Sequence, residues 1–167
     1  MSSPPLLRAP TLTRCACVRH ACRQKDAMQC GLIRKLVREL NFPTEVVVVP
    51  TQREADGLAM SSRNVYLSPE ERAAAPTLYR ALSAIETQYT AAGGEPVAAQ
   101  ELVRAAMQVL ETEPLFSEVD YVSIASGDSF EELHTVEPNK GADGVVAVVS
   151  AAVQIGQTRL IDNIVLA

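Results

Sequence analysis

The chain has 167 residues, 47% of them hydrophobic and 21% charged, which is enough for a packed core and excludes a disulfide-stapled peptide or a disordered tail. Four tyrosines, three phenylalanines and no tryptophan leave the core to Val, Leu, Ile and Ala, a composition that suits a small α/β or α+β domain. The net charge of −5 is uneven: Arg8, Arg14, Arg19, Arg23 and Lys25 stand in a stretch without an acid, so the remainder is strongly acidic. That balance argues against nucleic acid as a partner, since phosphate binding needs clustered cations and stacking rings.

Residues 1–23 mix Pro, Ser, Thr and Arg without an apolar period and read as a disordered leader. An Arg-rich, acid-free leader also fits organelle targeting, against a default expectation of a cytoplasmic protein. Cys15, Cys17, His20 and Cys22 lie close together, but C-x-C-x-x-H-x-C lacks the second ligand pair of a structural zinc site. The favoured reading is reduced thiols for all four cysteines, Cys30 included. The apolar positions Met28, Leu32, Ile33, Leu36, Val37 and Leu40 predict an amphipathic helix over 27–40 with Asp26 as N-cap. Asn41, Phe42 and Pro43 end it. Residues 45–50 then predict a strand whose unbroken valines suit a parallel sheet covered on both faces. No other run before residue 119 reads as its sheet partner.

A polar loop with Gly57 at its bend spans 51–66. Ser68, Pro69 and Glu71 spell a capping box for a helix that Pro76 interrupts and Gly93-Gly94 stops. A second helix over 96–111 is expected to pack antiparallel to it. Runs at 119–125, 144–154 and 158–166, the last two joined at Gly156-Gln157, predict a three-stranded antiparallel sheet. The longest apolar run, 145–153 with Ser150 inside it, is well short of the roughly 18 residues that span a bilayer, so no membrane partner is expected.

With only two histidines, His20 and His134, chemistry must rest on Lys, Arg, Ser, Asp and Gln. Two segments offer it. Lys25, Asp26 and Gln29 surround a helix start, where backbone donors and a point cation suit an anion; the same residues also read as a capping box beside a solvated lysine. Ser61, Ser62, Arg63 and Asn64 join two hydroxyls to a guanidinium fork that can wrap phosphate oxygens, or they form an ordinary turn.

In their order, with the intervening strand, these segments are far more specific. The strings Q-K-D-A-M-Q at 24–29, V-P-T at 49–51, R-E-A-D-G-L-A-M-S-S-R-N-V-Y-L-S-P-E-E-R at 53–72 and R-L-I-D-N-I at 159–164 resemble the C-terminal half of the pantoate-β-alanine ligases. The resemblance implies an ATP-dependent, AMP-forming ligase acting through a pantoyl adenylate, with pantoate, β-alanine and ATP as substrates and Mg2+ bridging the phosphates. By matching motif positions, Lys25 would hold phosphate, Asp26 the ribose hydroxyls and Gln29 pantoate. Ser61, Ser62 and Arg63 would form a mobile phosphate-binding loop, and Met60 and the backbone of 51–53 would line the adenine pocket. For the full-length family the resemblance also admits a homodimer.

The departures set a second set of expectations. The family's N-terminal half, with most of its Rossmann-like sheet and its His-x-Gly-His loop, has no counterpart among residues 1–23. Arg23 stands where the family has glycine, and Cys22 where it has a large aromatic. The expected fold class is α+β: a remnant of a Rossmann-like nucleotide-binding domain over 24–66, then a lobe of two helices and a three-stranded antiparallel sheet over 67–167. The expected function is that of a truncated ligase whose activity alone is in doubt, and the alternative is a non-catalytic binding or regulatory module that kept the fold.

Overall fold

A computed structural model describes residues 19–138 and 144–167. Strand β1 (Arg19–Arg23) pairs in parallel with β2 (Glu45–Val49), with Arg19 opposite Glu45 and Arg23 opposite Val49. This corrects two expectations, because the leader was read as running to residue 23 and the valine strand as lacking a partner before residue 119. The reason is that Arg-His-Ala-Cys-Arg has no alternation of its own, and only Cys22 in it is buried. The segment is extended because the β2 backbone offers it a ladder, which is a tertiary effect. Cys15 and Cys17 lie outside the described residues, and among those described His20 and Cys22 join no group of three or more His, Cys, Asp or Glu that could hold a metal.

A single 3₁₀ turn, Gln24–Asp26, leads into helix α1 (Ala27–Glu39). Asp26 holds the N-cap position without a side-chain capping bond, contrary to expectation, and its carboxylate lies 3.8 Å from the Arg23 guanidinium. The predicted apolar stripe is present but uncovered: Met28, Leu32, Leu36 and Leu40 are 78, 59, 45 and 58% exposed, and Cys30 is the one buried residue of the helix.

The capping box reads as predicted. Glu71 N donates to Ser68 Oγ at 3.2 Å and Ser68 N to Glu71 Oε2 at 2.8 Å, opening α2 (Pro69–Ala74). Pro76 separates it from α3 (Thr77–Ala91). The next helix begins later than expected, because Val97–Ala98 is extended as β3 and α4 covers Ala99–Leu110. The cause is a distant partner, β5 (Thr135–Val136), which pairs with β3 antiparallel.

Strands β4 (Phe116–Ser126), β6 (Ala147–Ile155) and β7 (Thr158–Leu166) form the antiparallel sheet in the order β4-β6-β7. The fold class is therefore α+β, as read from the sequence. The apolar faces of α3 and α4 meet this sheet, and Leu82, Ile85, Leu102 and Leu110 pack in one cluster with Ile124, Val149, Val153, Ile155 and Leu166. Among the described residues no helix is long and apolar enough to cross a membrane.

Candidate functional site

The loop after β2 is built by its own backbone. Arg53 bridges Ala59, Met60 N donates to Gln52 O at 2.9 Å, and Glu54 N to Leu58 O at 2.8 Å. Gly57 turns the corner at φ +94°, where an added Cβ would lie 2.4 Å from the Tyr79 ring, so only glycine fits without displacing that ring. Asp56 ties the loop to α2 through Arg72 Nη1 at 2.6 Å. The chain then passes through Met60 and Ser61 into a 3₁₀ turn, Ser62–Tyr66, where Arg63 N donates to Ser61 Oγ at 3.3 Å.

This loop meets the Gln24–Asp26 turn at Lys25. Lys25, Ser61, Arg63, Asn64 and Asp162 border one narrow cavity. On its other side Lys25 also borders an open cleft of about 590 Å³ with Asp26, Gln29, Ser123, Glu132 and Asn163. Two segments far apart in sequence thus share one lysine. Met60, Ser61 and Ser62 also face a third, shallow cleft with Arg23 and Glu54, so Ser62 and Met60 border a different cleft from Gln29.

Lys25 Nζ donates to Ile161 O at 3.1 Å. Burial pulls its pKa below the ordinary lysine value; Asp162 and then Asp26 oppose that, while Arg53 and Arg63 add to it. Asp162 is 4% exposed, and Arg53 grips it with Nη1 at 2.5 Å and Nη2 at 3.1 Å. The same guanidinium donates to Gly57 O at 3.1 Å and Asn163 O at 3.2 Å, and lies 3.9 Å from the centre of the Tyr79 ring.

The side chains of Arg53, Tyr79, Asp162 and Asn163 were not among the predicted site residues. A signal existed: Leu160, Asp162 and Ile164 share one face of a strand, and an acid between two apolar residues there requires a buried cation. Three buried side-chain atoms among the described residues have no hydrogen-bond partner: Thr51 Oγ1, Asn64 Oδ1 and Asn163 Oδ1. All three fall in the strings V-P-T, S-S-R-N and L-I-D-N; Asn64 borders the narrow cavity and Asn163 the open cleft, and buried polar atoms without partners are rare enough elsewhere to mark these two positions.

The comparisons point the same way. A family model described as pantoate-β-alanine ligase matches residues 12–165. Pantothenate synthetase of Herpetosiphon aurantiacus is 54% identical over 143 residues, which are 86% of this chain and 48% of that protein. The crystal structure of pantothenate synthetase from Thermus thermophilus superposes with a TM-score of 0.74 at 41% identity, covering 88% of this chain and 49% of that one. The ligase of Francisella tularensis, crystallised with β-γ ATP and β-alanine, shares the fold at 24% identity and a TM-score of 0.54, covering 89% of this chain and 43% of that one. The chain spans about half the length of the curated relatives it matches. On the family match and these identities, the chain belongs to the pantoate-β-alanine ligase family.

Proposed function

We propose that this chain supplies one wall of an adenylating site, the wall that holds ATP while a pantoate carboxylate is activated. The observation that carries the reading is the meeting of Lys25 with Ser61 and Arg63 at a single cavity. In the reaction, a pantoate carboxylate oxygen attacks the α-phosphorus, the bond to the bridging oxygen of pyrophosphate breaks, and pantoyl adenylate remains. The β-alanine amine then attacks the acyl carbon, loses a proton and displaces AMP. Both steps depend on positioning and on charge stabilisation.

On this reading the Lys25 ammonium leaves the neutral Ile161 carbonyl for phosphate oxygens, and Arg63 supplies a planar fork on the other side. Ser61 and Ser62 donate hydroxyls to the same oxygens. Asp26, free of any capping bond, accepts from the ribose hydroxyls, Gln29 donates to pantoate from the first turn of α1, and Met60 packs on adenine. Residues 24–66 then complete a nucleotide-binding domain, and 67–167 form the lobe beside it. Among the described residues no group of three or more His, Cys, Asp or Glu could hold a metal ion; on this reading Mg2+ arrives with ATP, held chiefly by the substrate's phosphates. When bound there, Mg2+ would neutralise phosphate charge. The exposed stripe of α1 and the open edges of the two-stranded parallel sheet are the surfaces that the other half of a relative would cover.

Calorimetry of Mg-ATP with the full chain tests the reading. Binding should be weak, because only one wall is present, and Arg63→Ala should abolish it. Micromolar binding that Arg63→Ala leaves unchanged would place the nucleotide elsewhere.

A further inference from the structure

We propose that Arg53, Asp162 and Asn163 are positioning residues for Lys25, tying both its turn and the Ser61–Arg63 segment to the last strand of the sheet; the inference rests on Lys25 as a phosphate ligand. β7 holds Lys25 at two points, since Ile161 O accepts from its ammonium at 3.1 Å and Asn163 Nδ2 donates to its carbonyl at 2.9 Å. Arg53 stands in the loop that continues into Ser61–Arg63, and it reaches β7 through the Asp162 carboxylate and the Asn163 carbonyl. One strand is therefore the common reference for the two phosphate-facing segments.

The arrangement also settles which partner the lysine takes. Both Asp162 oxygens are engaged, Oδ2 by Arg53 and Oδ1 by Arg53 and by Asn163 N at 2.8 Å. With the Asp162 carboxylate occupied, the ammonium rests on a neutral carbonyl, which it can exchange for phosphate at less cost than it could leave an ion pair. Asp162 still supports the ammonium's charge through space. The charged groups facing Lys25 are Asp162 from β7, Asp26 from its own turn, and Arg53 and Arg63 from the loop, with Glu132 across the cleft.

A passive ion pair and a positioning device differ in what happens to Lys25. The chain has three lysines, Lys25, Lys35 and Lys140, so their side-chain carbons, labelled with 13C at Cε, can be titrated separately by NMR. Asp162→Asn removes the supporting charge and should lower the Lys25 pKa further. Arg53→Gln removes a repelling cation and frees Asp162 to capture the ammonium, so it should raise that pKa and weaken Mg-ATP binding. Opposite displacements support the proposal, and an unmoved Lys25 in both folded variants overturns it. Asn163→Ala strands no charge and covers the case in which those variants fail to fold. It should weaken Mg-ATP binding about five- to tenfold, the worth of one hydrogen bond, and wild-type affinity in it would count against the proposal. Lys25→Ala separates the two readings: if it binds Mg-ATP like the wild type, the phosphate role of Lys25 fails, while the titrations still judge the coupling.

Discussion

Substituting Gly57 by Ala tests whether the Arg53–Tyr79 stack stabilises the site loop. Gly57 and Gly94 have nearly the same φ, +94° and +97°, but an added Cβ at Gly57 meets the Tyr79 ring at 2.4 Å, whereas nothing lies within 4 Å at Gly94. The left-handed backbone costs an alanine about 1–2 kcal/mol at either position, and the loss of chain entropy in the unfolded state is common to both. At Gly57 the ring must also move. That adds an overpacking term of about 1–3 kcal/mol and loosens a cation–ring contact worth about 1 kcal/mol at a half-buried site. Gly57→Ala should therefore destabilise the chain by about 2 kcal/mol more than Gly94→Ala does. Urea unfolding of the two variants, compared by midpoint at a common slope, reads the difference directly. Equal midpoints would refute the argument, because they would mean the ring moves aside freely and Arg53 does not depend on it.

Ser68→Ala should remove about 1 kcal/mol through loss of the capping bond to Glu71, seen as a fall of a few degrees in melting temperature. Leu102→Ala, at a fully buried position, should cost about 2–5 kcal/mol, while Leu36→Ala on the exposed stripe of α1 should change the stability of the isolated chain by less than about 0.5 kcal/mol. Burial, and then the neighbouring Cys22, pushes the Cys30 thiol up from 9.0 to about 11. The folded state thus keeps a proton that the unfolded state releases, so this stabilisation is complete below pH 9 and lost as pH rises toward 11. The wild type should lose more stability than Cys30→Ala across that interval, and parallel pH profiles would contradict the assignment.

Elements that carry their own signals were legible in the sequence. Ser68-Pro69-x-Glu71 specifies a helix start by local hydrogen bonding, and the residues that end α3 and link β6 to β7 act equally locally. The antiparallel sheet followed from alternation and a tight turn. What sequence reading missed depends on partners far along the chain. Arg19–Arg23 becomes a strand only because the valines of β2 accept it, and Val97–Ala98 is drawn out of a helix by Thr135–Val136. At the site, the two segments that meet at Lys25 were singled out from their residue types and order, but the contacts that tie them to β7 were not. Asp162 and Arg53 are 109 residues apart, and no spacing rule links them. α1 taught the converse lesson: its period was read correctly, yet periodicity names an apolar face without saying what covers it.

The most direct measurement is exchange of labelled pyrophosphate into ATP in the presence of pantoate, because it reads adenylation alone. The 167-residue chain by itself should show none, since one wall of donors leaves the pentavalent phosphorus largely unstabilised. Adding the N-terminal half of a matched relative as a separate polypeptide should restore some exchange, and Lys25→Ala in this chain should remove it again. Robust exchange by the chain alone, or restored exchange indifferent to Lys25, would contradict the claim that this chain contributes the phosphate-holding wall of a shared site.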